Sequence, residues 1–375
     1  MPGEFIALLP GDPAPWFYAA TPSSPRFAFN VAAGRYVVLF FYASAADPAA
    51  LAALRTIAKS RNVFDDRRAA LFGVSIDPND RDQRRVSDSP PGLRFMWDFD
   101  RAISKAYGSA ALEGAADSVR RFWIVLDPTL RVLKLFPFSG KQAETDSMIT
   151  YVSALPPPDL FAGVALDAPV LYLPRVFEPE LCDALVNAFE VKGGQDSGFM
   201  RDIDGKTSHV IDYSHKRRAD HLITDPTLIR VTKERVQRRV APEIEKICQF
   251  KATRIERSIV ARYSAEDGGH FRPHRDNTTK GTAHRCFAVT INLNADFEGG
   301  ELGFPEYGGR TYKPPVGGAV VFSCSLLHAV SKVTRGLRYA FLPFLYDEAA
   351  ALLREKNNEF LDEGIGAYEM TRESS

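Results

Sequence analysis

The chain has no cysteine before residue 182 and no histidine before residue 209. That absence removes thiolate catalysis and most metal ligation from the first half of the 375 residues. A surplus of one charge is missing too. Lys+Arg and Asp+Glu each total 47, so the basic excess that marks a nucleic-acid binder is not there. No run approaches the roughly 18 apolar residues that a membrane-spanning helix needs. The opening MPGEFIALLPGD lacks the basic n-region of a secretory leader. Four cysteines in a chain of this length do not make a disulfide framework, and they fit a reducing cytoplasm. What is present is ordinary globular composition, 45% hydrophobic and 25% charged, enough for two or three packed domains.

The pattern breaks at ALPPPDLFAGVALDAP (154–169), where three consecutive prolines stop a helix and favour an extended spacer. The expected organisation is a domain over 1–155, a linker over 156–168, a second domain over 169–346 and a charged tail over 347–375, a surface helix that frays. In the first half VVLFFY (37–42) and LFGVSID (71–77) read as strands buried on both faces. Asp47 caps a helix with Pro48 in its first turn and Leu51, Leu54 and Ala58 on one face. FWIVLDPTLRVLKLF (122–136) reads as two strands about an Asp-Pro turn. An α/β layer with a mixed sheet follows.

In the second half a helix is expected from Glu178, with Leu181, Leu185, Val186 and Phe189 on one stripe. A long helix follows near 226–249, striped by Val236, Val240, Ile244 and Ile247. Beyond residue 253, IERSIVARY, CFAVTINLN, GGAVVFS and LRYAFLPFLY alternate with Gly-rich turns, the mark of an antiparallel sandwich or jelly roll.

The chemistry is concentrated there. His274 and Asp276 form an H-x-D pair, whose side chains share one face of a strand. His328 follows after another strand. Two imidazoles and a carboxylate on one face of an octahedral ion leave three positions open, the arrangement of non-haem Fe(II) oxygenases. A lone H-x-D is weak evidence. Arg338, ten residues beyond His328, supplies a guanidinium for a carboxylate near the metal, with Arg335 and Lys332 as its alternates. Tyr263, eleven residues before His274, offers a hydroxyl. His270 and His284 are expected at the rim or in turns. His209, His215 and His221 fall in a polar stretch, SHVIDYSHKRRADH, expected as surface loop and candidate substrate lid. Lys216, Arg217 and Arg218 are expected on a solvated face, and Cys248 and Cys324 as small core fillers.

RYSAEDGGHFRPHRDN (262–277), TINLNADFEGGELGF (290–304) and PPVGGAVVFSCSLLHAVSKVTRGLRYAF (314–341) resemble the Fe(II)/2-oxoglutarate dioxygenases of the prolyl 4-hydroxylase-like branch. The resemblance implies a double-stranded β-helix (jelly roll) with flanking helices. It assigns iron to His274, Asp276 and His328, the far carboxylate of 2-oxoglutarate to Arg338, and a helper role to Tyr263. It also implies O2 as oxidant, ascorbate as reductant, and hydroxylation of a peptide or small molecule with release of succinate and CO2. Peptidyl proline is the leading substrate. PGDPAPWFYAAT (10–21), VVLFFYASAADPAA (37–50) and RFWIVLDPTLRV (121–132) resemble the peroxiredoxin branch of the thioredoxin-like fold. There the family's hydroxyl residue and peroxidatic cysteine fall at Asp47 and Ala50, and its activating arginine at Arg121. The first half is therefore expected to be a redoxin fold without its chemistry, left for scaffolding, docking or homodimerisation. The alternatives are a non-catalytic metal-binding jelly roll, or an interaction protein built on the redoxin half. No nucleic acid and no membrane are expected as partners.

Overall fold

The computed structural model describes residues 4–113 and 118–370. The chain divides into two compact units. The first holds the described residues up to Asp167 with Pro305–Gly309, and the second Ala168–Phe304 with the described residues from Arg310.

The first unit is a five-stranded mixed sheet. Its elements are β1 (Tyr36–Ala43), α1 (Pro48–Lys59), β2 (Ala69–Ser75), β3 (Leu93–Trp97), β4 (Phe122–Leu126), β5 (Val132–Pro137) and α2 (Gln142–Ala154). The strand order is β3-β2-β1-β4-β5, parallel from β1 to β3 and antiparallel across β4 and β5. This is the thioredoxin-like arrangement expected from the sequence. Strand periodicity divides β1 between two buried faces. Tyr36, Val38, Phe40 and Tyr42 pack with Ala53, Leu54 and Ile57 of α1 and Met148 and Val152 of α2. Val37, Leu39 and Phe41 are buried on the other side, where the Phe41 ring lies against Tyr107 and Phe122. Asp127 closes the Asp-Pro turn by accepting from the backbone N–H groups of Thr129 and Arg131.

After a short strand at Leu171–Leu173 the second unit has α3 (Pro179–Lys192), followed by a hairpin of β6 (Phe199–Ile203) and β7 (Lys206–Val210). Then come β8 (Lys216–Arg217), β9 (Ala219–Leu222), α4 (Pro226–Arg239) and α5 (Ala241–Cys248). The remaining strands are β10 (Arg254–Glu256), β11 (Ile259–Ser264), β12 (His270–His274), β13 (Phe287–Asn292), β14 (Leu302–Gly303), β15 (Thr311–Tyr312), β16 (Ala319–Ser323), β17 (His328–Val330), β18 (Val333–Phe341) and β19 (Phe344–Tyr346). Helix α6 (Glu348–Lys356) follows. The larger sheet runs β10-β19-β13-β18-β11-β9, with β16 also on β13, and short strands Gln195–Asp196 on β9, Leu171–Leu173 on β16 and Phe297–Gly299 on β18 complete it. The smaller runs β8-β12-β17-β14-β15. Together they make the jelly roll. Leu181, Leu185 and Phe189 of α3, with Val236 of α4 and Ile244 of α5, pack on Val260, Val289, Ile291, Tyr339 and Phe341 of the larger sheet. The alternate positions on those strands, Tyr263, Asn292 and Arg338, fall by strand periodicity on the opposite, inner face.

Four local expectations need correction. The long helix breaks at Val240, because Pro242 opens α5 and cannot continue α4. The break leaves Val236, Val240 and Ile244 buried but Ile247 exposed. IERSIVARY is two strands, parted where Arg257 takes a left-handed φ of 66°. Cys248, at the end of a helix with only Ile244 fully buried, is exposed rather than a core filler. The tail helix α6 is capped by the Asp347 carboxylate, Ala351 is fully buried, and Tyr368 lies against Arg354, so it does not fray.

Candidate metal centre

The smaller sheet creates the site by register. His274 on β12 and His328 on β17 are direct cross-strand partners, past a bulge that follows Phe271. Two residues beyond His274 the chain leaves the strand, and the Asp276 N–H donates to the Cys324 carbonyl at 2.9 Å. Cys324 is buried at this point, as expected of it, and its backbone fixes the approach of the carboxylate. Asp276 Oδ1 lies 3.6 Å from His274 Nε2, and Oδ2 lies 3.4 Å from His328 Nε2. One donor atom from each residue falls within 4.8 Å of the others, and this is the one such trio among the described residues.

The imidazoles are oriented by backbone. His274 Nδ1 is 2.8 Å from the Arg272 carbonyl and His328 Nδ1 is 3.0 Å from the Leu326 carbonyl. A carbonyl only accepts, so each Nδ1 carries the proton and each Nε2 keeps its lone pair for the centre. Phe271 stacks on His274, with ring centroids 3.5 Å apart and planes 19° apart. Phe322 lies 4.6 Å from His328. Burial and the neighbouring His328 hold His274 down to about 4, so it is neutral near pH 7. Burial raises the Asp276 carboxyl, but the field of His328 and the contact with His274 outweigh it, leaving it well below the usual carboxylate range. A neutral His274 and an ionised Asp276, with His328 Nε2 aimed at the same point, are the kind of donor set a divalent ion needs.

Tyr263 and Arg338 are direct partners across β11 and β18. Both are buried, and the Arg338 guanidinium lies 5.3 Å from the Tyr263 ring centre. Its Nε and Nη2 reach the neutral Asn292 Oδ1 at 3.3 and 3.2 Å. Burial lowers its pKa. A buried guanidinium held by an amide is a receptor for a carboxylate. Arg335 instead pairs with Glu298 at an exposed edge, and Lys332 is exposed.

Comparison with known families agrees with this geometry. Residues 258–346 match the 2OG-Fe(II) oxygenase superfamily, and residues 10–133 match the AhpC/TSA family. The chain joins an oxygenase domain to a redoxin domain. A PKHD-type hydroxylase of Cupriavidus metallidurans is 38% identical over 85 residues. That match covers 20% of this chain, and the chain spans 37% of that relative's length. Among solved structures, viral collagen prolyl hydroxylase from Paramecium Bursaria Chlorella virus-1 aligns at TM-score 0.35 and 18% identity, over 47% of this chain and 94% of that one. Xanthomonas campestris Peroxiredoxin Q aligns at TM-score 0.31 and 16% identity, over 37% and 90%.

The oxygenase domain departs from the sequence reading in its polar stretch. SHVIDYSHKRRADH is surface loop only over 211–215, and the rest falls largely in β7, β8 and β9. Lys216 and Arg218 are buried rather than solvated. Lys216 Nζ donates to Ser197 Oγ at 2.7 Å and to the Gly198 carbonyl. Arg218 Nη2 donates to Asp220 Oδ2 at 2.6 Å. The available signal was period two, since Lys216, Arg218 and Asp220 share a face. His215 packs between Phe199 and Phe271, 6.4 Å from the His274 ring, and burial holds it down to about 4. His209 is exposed, whereas His221 is buried with Nδ1 2.8 Å from the Gly193 carbonyl. His284 lies in a turn, as one of the two expected placements had it, but the turn is an interior one. It is buried with Nε2 2.8 Å from Glu256, which also takes two bonds from Arg285. His270 is half-buried between the Gly268 and Ser214 carbonyls.

In the redoxin domain the Asp47 carboxylate caps α1 through the N–H groups of Ala49 and Ala50, and it pairs with Arg121. Where the family's cysteine would stand, Ala50 is fully buried, and Arg121 is taken up by the Asp47 carboxylate.

Proposed function

We propose that the chain is an Fe(II)- and 2-oxoglutarate-dependent dioxygenase that hydroxylates its substrate, with peptidyl proline as the leading candidate and a free amino acid as its rival. The observation that carries the reading is the convergence of three donors, the Nε2 lone pairs of His274 and His328 and the ionised Asp276, on one face. Iron bound there would couple oxidative decarboxylation of 2-oxoglutarate, giving succinate and CO2, to insertion of the second oxygen atom of O2 into a substrate C–H bond.

The residues divide the remaining work. His274, Asp276 and His328 would hold the ion and leave it open positions for cosubstrate and O2. Arg338, steadied by Asn292, grips the far carboxylate and thereby fixes the keto end toward the metal. Phe271 and Phe322 pin the imidazoles and keep water from their faces. Ascorbate would restore iron oxidised in unproductive cycles.

The test is succinate release from protein supplied with Fe(II), 2-oxoglutarate and ascorbate, across proline-containing peptides and free amino acids. Stimulation by one class identifies the substrate. No release above the metal-free control with any of them would leave a non-catalytic jelly roll.

A further inference from the structure

The inner face of the jelly roll holds more positive charge than its nearest carboxylate neutralises. Lys216, Arg218 and Arg338 are all buried. The carboxylate bonded within this group is Asp220, which takes Arg218 Nη2 at 2.6 Å and also Ser197 Oγ. Glu301 acts on Arg338 at longer range, and its own oxygen takes the Ser331 hydroxyl at 2.8 Å. Asp276 belongs to the metal set. Arg218 and Arg338 against Asp220 leave an excess of one, beside Lys216, whose charged form burial disfavours. Burying charge without a partner costs several kcal/mol per ion, so the cluster is built for a ligand that brings a negative charge.

The cations are one connected group. Lys216 Nζ and Arg218 Nη2 both reach Ser197 Oγ, at 2.7 and 3.3 Å. Arg218 Nη1 lies 3.5 Å from the Tyr263 hydroxyl. The guanidinium carbons of Arg218 and Arg338 sit 5.8 and 5.3 Å from the centre of that ring. Arg218 Nε is buried without a hydrogen-bond partner. Two guanidinium groups therefore flank one phenol, and only one of them has a carboxylate of its own.

We propose that Arg218 is a second binding residue for the cosubstrate, gripping the far carboxylate together with Arg338 and the Tyr263 hydroxyl, while Lys216 holds Ser197 in place beside Arg218. The pocket is thus a selector for a 2-oxo diacid over a 2-oxo monoacid. This rests on the reading of the site as a 2-oxoglutarate site.

The experiment is anaerobic calorimetry on the full chain loaded with Mn(II), titrated with 2-oxoglutarate and with 2-oxobutanoate. Native protein should favour the diacid by roughly a hundredfold or more. Arg218→Met should weaken 2-oxoglutarate about tenfold or more, the range for losing one hydrogen bond to a charged group, and leave 2-oxobutanoate and Mn(II) binding unchanged. Asp220→Asn, which frees Arg218 from its internal carboxylate, should tighten 2-oxoglutarate, and no merely structural role predicts that gain. Unchanged 2-oxoglutarate affinity in both variants would overturn the inference while leaving the metal site standing. Native protein that binds Mn(II) but neither oxo acid would overturn the underlying reading as well.

Discussion

Replacing Arg338 with methionine separates cosubstrate binding from folding. The guanidinium is buried, and the neutral Asn292 Oδ1 holds it through two contacts longer than 3.1 Å. Binding of the far carboxylate would therefore complete an ion pair the fold leaves open. Removing one partner of a buried pair costs about 3–5 kcal/mol. At about 1.4 kcal/mol per tenfold, that is a rise of roughly a hundred- to a few thousand-fold in KM for 2-oxoglutarate. Arg218 beside the same phenol places the expectation at the lower end. The fold should not suffer. Methionine has similar length, and the loss of a charge without a carboxylate relieves desolvation of several kcal/mol. The Asn292 carbonyl left behind costs about 1–3 kcal/mol, while its amide keeps the Pro314 carbonyl at 2.8 Å. Initial rates of succinate release against 2-oxoglutarate, with urea unfolding of the metal-free protein, read both effects. An unchanged KM would remove Arg338 from the site, and a collapse of stability would make it a structural residue.

Asp276→Ala should abolish 2-oxoglutarate turnover and Mn(II) binding by calorimetry while the circular dichroism melt is preserved; full turnover would remove the ligand assignment. Acidification should destabilise the metal-free protein between pH 6.5 and 4. His215 and His274 are held down to about 4 by burial, so the unfolded chain binds more protons in that window and stability falls as pH drops. Each contributes at most about 3 kcal/mol. His215→Phe should flatten the dependence in urea titrations at stepped pH, and an unaltered profile would contradict the burial of His215. In the redoxin domain, Asp47→Ala should cost about 1 kcal/mol through the lost cap, and Arg121→Ala less, since a half-exposed ion pair contributes little. Equal losses in urea melts would mean the ion pair, not the cap, holds the start of α1.

The sequence was most legible where one face decides a residue's fate. VVLFFY could be read as a strand buried on both sides because every position is apolar, and β1 is that strand. The H-x-D pair, His328 and Tyr263/Arg338 could be named from spacing; register sets His274 against His328 and Tyr263 against Arg338, and the Asp276 N–H bond to Cys324 brings in the carboxylate. What escaped was polarity turned inward. A run of Lys216, Arg217 and Arg218 looks solvated when counted as charge, but two of the three lie on the inner side of a sheet that pairs Lys216 with Phe271. Likewise His284 is placed by a carboxylate 28 positions earlier, Glu256, a contact no local pattern carries. The break at Val240 was readable from Pro242, yet the apolar stripe runs across it.

Each imidazole of the trio takes its tautomer from a peptide oxygen two positions upstream in the chain. No substitution deletes a peptide oxygen. Drift in the surrounding side chains can therefore reshape what enters this cavity, or how fast, while the electron pairs that await the ion keep their aim. Such a centre can change its client many times without being rebuilt.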